Sequence, residues 1–225
     1  FETTFFNLLN LHGATLSDLH FDSDSIRLQH KGTVPRSRKT RRRQASARLH
    51  PPAQHGRSVF TAVMNGIHEF FDSSPAGKSV KDPLSRYQLL QDKYNHTLGH
   101  YFRNLYQILA FVDRYTIDLQ SPDIKQEYLL RKRYTNILRA QLSAHELCIL
   151  FFNCQDRLVD RGAFRNLLIE WEFLEHIPIR YSFDSHHVYI EGYEDFSLND
   201  MMEQYLGDPL VPQPEAGAFG GNPHV

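Results

Sequence analysis

Two cysteines and one tryptophan stand among the 225 residues, and no run approaches the ~18 consecutive apolar residues of a membrane-spanning helix. Cys148 and Cys154 lie six apart in one predicted helix, too distant for a disulfide. A reducing, cytosolic setting is the simpler reading. No Walker loop, dinucleotide fingerprint, nucleophile elbow or paired CxxC motif occurs. That argues against the usual forms of nucleotide hydrolysis, against dinucleotide redox work and against a zinc ribbon. The remaining absence is local: from Arg27 to Arg57 the chain has no Asp or Glu.

Apolar residues make up 41% of the chain, enough for a core. The net charge of −1 conceals a segregation. Ten of the 25 basic residues fall between Arg27 and Arg57, leaving 15 basic against 26 acidic residues elsewhere, a net of −11. Neutrality is the sum of a basic arm and an acidic body. Within the arm, Arg36, Arg38, Lys39, Arg41, Arg42 and Arg43 form the densest cluster, a candidate site for an anionic partner or else a solvated, variable loop. RNA would be bound through its phosphates, and an anionic membrane surface at about 1 kcal/mol per basic residue. The arm has few large apolar residues and three prolines, so it cannot offset the entropy of ordering.

Periodicity divides the chain into an N-terminal helix within 1–26 packing on the main body, a disordered basic linker at 27–55, a helical domain at 56–207 and a disordered tail at 208–225. Val59, Phe60, Val63, Ile67 and Phe70 are spaced for one helix face. Asp82-Pro83 and Ser121-Pro122-Asp123 have the form of helix starts. The spacing predicts helices at roughly 83–95, 97–118, 123–153 and 161–176, then a short helix from Phe196 to Leu206. Alternation of apolar and polar residues predicts a hairpin at about 178–192. The fold class is therefore mainly α, a helical bundle with a small β hairpin near its C-terminal end.

Two predicted helices have unusual polar faces. Along 97–118, Leu98, Phe102, Leu105, Leu109 and Val112 form an apolar seam, while His96, His100, Arg103, Asn104, Gln107 and Arg114 share a second face with little charge. On 134–154, Asn136, Arg139, Ser143, Glu146 and Asn153 share another. Such stripes point to a buried hydrogen-bonded network, an interface or the wall of a site, with a plain exposed face as the bland alternative. If the two helices pack antiparallel, Glu146 meets Arg103 or Arg139 in a desolvated pair.

His100 and Arg103 offer an acid/base and a phosphate-stabilising cation within one turn, a set suited to RNA cleavage with His96, Asn104 or Glu146 assisting. His96 and His100 have metal-chelating i, i+4 spacing, but Thr97 stands where the HExxH motif needs glutamate. Neither a metal nor a cofactor is expected. Arg139 and His145 have the five-residue separation of helical ribonuclease toxins, yet they fall about 240° apart on a continuous helix.

Four blocks together resemble the phage abortive infection protein family of bacteria: FETTFFNLLNLH at 1–12, GRSVF at 56–60, LGHYFRNLYQIL at 98–109 and YTNILRAQLSAHELCILFFNC at 134–154. The resemblance implies a role in antiphage defence, in which an infected cell is halted before the phage matures. It also implies hydrophobic spans ahead of the domain. Since the chain begins at Phe1 inside an apolar stretch, the expectation is a parent tethered to the inner membrane by segments missing here, with this domain on the cytoplasmic face. Gly13 and the arginine-rich insertion before Gly56 depart from the family pattern. The expected partners are an anionic membrane surface, RNA, a phage or host protein, or a second copy in a homo-oligomer. Two mechanisms stand open: a membrane-associated sensor or effector working through protein or lipid contacts, or an RNA-cleaving toxin.

Overall fold

The computed structural model describes residues 1–21, 53–72, 83–115, 124–155, 162–194, 197–206 and 217–225, with side chains from Glu69 to Asp72 left aside. Arg36, Arg38, Lys39, Arg41, Arg42 and Arg43 lie outside the described residues, as do Asp82 and 121–123. So does most of the predicted linker.

The fold is mainly α. Helix α1 (Glu2–Ser17) leads into a two-residue strand β1 (His20–Phe21), which pairs antiparallel with β2 (Gln54–His55). Helices α2 (Ser58–Asp72), α3 (Pro83–Arg114), α4 (Ile124–Arg139), α5 (Ala144–Asn153) and α6 (Ala163–Glu170) follow. The expected hairpin is formed by β3 (Ile179–Ser182) and β4 (His187–Ile190), with Ile179 opposite Ile190. A four-residue α7 (Asn199–Met202) continues into a 3-10 turn at Glu203–Tyr205, and a second 3-10 turn spans Gly217–Phe219.

Helix α3 is the axis of the bundle. The predicted break near residue 96 does not exist: Asn95 to Thr97 contain no proline, and the buried row Tyr87, Leu90, Tyr94, Leu98, Tyr101, Leu105, Ile108 and Val112 runs through at helical spacing. Its apolar surface serves α1, α2, α4, α5 and α6 in turn. Helix α5 is buried from Glu146 through Asn153, as expected of a helix that is apolar nearly all round. Val59, Phe60, Val63, Met64 and Ile67 bring α2 against both.

Three further corrections concern boundaries. The predicted helix 123–153 is two helices, because Ser143 leaves helical geometry (φ −78°, ψ 165°) and caps α5. The linker drawn to residue 55 ends earlier, since β2 lies beside β1 and the two flank the segment 22–53. The tail drawn as disordered over 208–225 includes an ordered stretch: Ala218 and Phe219 are fully buried, and the Leu174 N–H donates to the Ala218 carbonyl at 2.8 Å. There Gly220 has φ +49°, and a Cβ on it would stand 2.9 Å from that of Glu172.

Candidate functional site

The most concentrated polar chemistry in the described residues surrounds Glu146. In the capping box of α5, the Glu146 N–H donates to Ser143 Oγ at 3.3 Å, and the Ser143 N–H donates to Glu146 Oε2 at 2.7 Å. Packing of this first turn against α2 and α3 removes the carboxylate from water entirely. Two further donors reach it. Tyr101 Oη from α3 donates to Oε1 at 2.6 Å, and Arg57 Nε, just ahead of α2, donates to Oε2 at 3.2 Å. Arg57 also donates to the Gln141 carbonyl. The expected partner of Glu146 was Arg103 or Arg139; Arg57 takes that place because the first turn of α2 packs on α5, while Arg139 lies before the break and faces elsewhere.

Helix α1 closes this cluster. The His12 ring lies 4.6 Å from that of Tyr101, and Thr15 accepts a hydrogen bond from Asn104 Nδ2 at 2.7 Å. Burial pushes the Tyr101 phenol well above its ordinary range, reinforced by the charge and hydrogen bond of Glu146. Burial also lowers the proton affinity of His12, against the opposing pull of Glu146 and with a smaller push from Arg57. Only the carboxylate of this pair is buried, so it is the loss of Arg57 that strands a charge, at a cost of up to about 3 to 5 kcal/mol. The arrangement therefore fixes how four helices meet.

The other polar residues go to separate places. Arg139 is 8% exposed, pairs with Glu175 at 2.6 Å and donates to the Glu172 carbonyl at 3.0 Å. Asn153 accepts from Tyr87 Oη at 2.9 Å and from Gln91 Nε2 at 3.3 Å. His145 Nδ1 meets Thr61 Oγ1 at 3.1 Å and turns its ring edge-on to Tyr193, and burial lowers its proton affinity. Arg139 and His145 thus diverge, although the reason differs from a continuous-helix rotation: they occupy different helices with different partners.

The stripe on α3 is largely a solvent face. His96, His100, Arg103, Gln107 and Arg114 are exposed, and only Asn104 is drawn inward by Thr15. Asn136 is also exposed. Gln107 and Arg114 border an open recess of about 330 Å³ with Ala110, Phe111 and Tyr115. His100 and Arg103 lie outside that recess. Among the described residues, no group of three or more His, Cys, Asp or Glu is placed to hold a metal ion, and no helix is long and apolar enough to cross a membrane.

Arg57 and His12 are the participants that the two polar stripes did not announce. One signal was available for Arg57: it is the last base of the acid-free run and opens the GRSVF block. His12 sat within the LNLH block but among apolar neighbours, with nothing to show that its ring would meet Tyr101.

Lys93 through Ser182 builds the last two thirds of α3, all of α4 to α6, and β3. Residues 93–182 match the family described as "Putative phage abortive infection protein". The matched region contains the LGHYFRNLYQIL and YTNILRAQLSAHELCILFFNC blocks, and with them Tyr101, Arg139, Glu146 and Asn153. The blocks at 1–12 and 56–60 lie outside it, although His12 and Arg57 pack onto its centre. No curated protein and no solved structure matches the chain.

Proposed function

We propose that this chain acts in bacterial antiphage defence as an abortive infection module, a membrane-associated sensor or effector that works through protein or lipid contacts rather than by chemistry of its own. The phage abortive infection family match over 93–182 supports the biological role. The observation that carries the mechanism is where the polar groups of that region go. Glu146, Arg139 and Asn153 spend their hydrogen bonds on neighbouring helices, while His96, His100 and Arg103 face outward along α3. Buried groups so committed set the register of the bundle, and outward groups offer a face for a partner. The basic cluster Arg36, Arg38, Lys39, Arg41, Arg42 and Arg43 supplies attraction for anionic lipid. A tethered parent on the inner membrane would hold it near the headgroups.

The test is a phage challenge of cells making the wild type, the double variant His100→Ala/Arg103→Ala, or a variant with the six clustered bases changed to Gln. Protection should survive the double substitution, with cellular RNA intact, and should be lost when the six charges are removed. Loss of protection in the double variant, together with RNA breakdown that only the wild type produces, would replace this reading by the RNA-cleaving one.

A further inference from the structure

Glu146 has no exposed surface, and the cation that serves it is Arg57 at 3.2 Å, whose own side chain remains 54% exposed. This is an asymmetric pair. The carboxylate cannot leave, because it is capped, buried and bonded to Tyr101, whereas the guanidinium reaches in from the surface. A buried carboxylate deprived of its counter-ion is strongly disfavoured. Arg57 can therefore withdraw only if the carboxyl itself takes up a proton or a second group takes over the charge.

Such a group is present. His12 on α1 is 3% exposed, its ring lies against Tyr101, and its Nδ1 is buried without a hydrogen-bond partner. The charged groups that act on it are Glu146 from α5, which favours the imidazolium, and Arg57 from the start of α2, which opposes it; burial opposes it more strongly. Arg57 is thus in direct contact with the carboxylate, while His12 stands against the ring of Tyr101, whose hydroxyl bonds that carboxylate. We infer that His12 is the reserve counter-ion of Glu146: when Arg57 withdraws, one proton passes from solvent to the His12 imidazole, and the buried charge keeps a partner.

The consequence is a releasable latch. Arg57 lies two residues beyond His55 of β2, the strand by which the chain returns beside β1. Once freed, its guanidinium is available to an anionic group outside, while the α1–α3–α5 junction stays neutralised from within. The released state holds one more proton, so falling pH favours release. This behaviour does not depend on the antiphage reading, and its failure would leave that reading untouched.

The test follows the His12 ring by NMR through a pH titration of the full chain. In the wild type His12 should titrate below the ordinary imidazole range. In Arg57→Gln its midpoint should rise by about 1 to 2 pH units, in Arg57→Lys it should stay near the wild-type value, and in Glu146→Gln it should not rise. A midpoint in Arg57→Gln equal to that of the wild type overturns the inference. Urea unfolding gives a second reading that holds for a weakened fold. The loss of midpoint caused by Arg57→Gln should be smaller at pH 5.5 than at pH 8, and this pH dependence should vanish when His12→Gln is added. A loss that is the same at both pH values, or that keeps its pH dependence without His12, also overturns it.

Discussion

Glu146 accepts hydrogen bonds from Tyr101, Arg57 and the Ser143 N–H, which is what a carboxylate without water requires. The Tyr101 hydroxyl is the shortest of these contacts and the one supplied by α3. Tyr101→Phe keeps the ring against Phe60 and His12 but leaves Oε1 without its donor, so it should cost about 1 to 3 kcal/mol. Chemical denaturation should show this as a lowered midpoint with an unchanged slope. At this scale the sequence singled out Glu146 and its need for a cation, since a lone acid in an apolar run is conspicuous. It could not name the cation, because Arg57 is 89 residues away along the chain and its approach depends on how α2 docks.

The elements show where local pattern suffices and where it misleads. The α3 seam was legible because Leu98, Phe102, Leu105, Leu109 and Val112 repeat with the helical period and are all buried. The α4–α5 boundary was missed because RAQLSA contains neither Gly nor Pro, and its stop signal is the Ser143 to Glu146 capping box, which reads equally well as part of a polar stripe. The box does more than end a helix, since it places the Glu146 carboxylate in the interior. Ser143→Ala removes the acceptor for the Glu146 N–H and should lower stability by about 0.5 to 2 kcal/mol. In hydrogen exchange, the amides of the first turn of α5 should lose protection before those of α3. The outward stripe on α3 was equally ambiguous, because uncharged polar residues suit a buried network and an exposed face alike. Only Asn104, held by Thr15, went inward.

For the whole molecule, distant parts of the chain close one core. Strands β1 and β2 join regions on either side of residues 22–53, and the C-terminal turn returns to α6 and the 3-10 turn at Glu203–Tyr205. Phe219 is buried near Phe151 and Tyr205, and Asn222 Nδ2 donates to the carbonyls of Glu175 at 3.0 Å and Ile177 at 3.1 Å. Ending the chain before Gly217 should therefore destabilise the whole bundle. Burial of Phe219 alone is worth about 1.5 to 3 kcal/mol. The melting temperature of the truncated chain should fall by about 5 °C or more, and an unchanged value would show that the C-terminal turn carries no load. From GDPLVPQPEAGAFGGNPHV alone the tail reads as too rich in Gly and Pro to order. In the fold those glycines permit the left-handed turns at Gly217 and Gly220 that seat Phe219.

The sequence by itself determined the mainly helical class, the apolar seam of α3, the hairpin of β3 and β4, and the family resemblance, because each rests on periodicity or on contiguous blocks whose spacing acts over a few residues. Tertiary structure alone decided which cation meets Glu146, which polar face is covered, and which weakly patterned end of the chain is ordered. These depend on contacts between residues tens of positions apart, where burial and the penalty for an unpaired charge select partners that local pattern does not record.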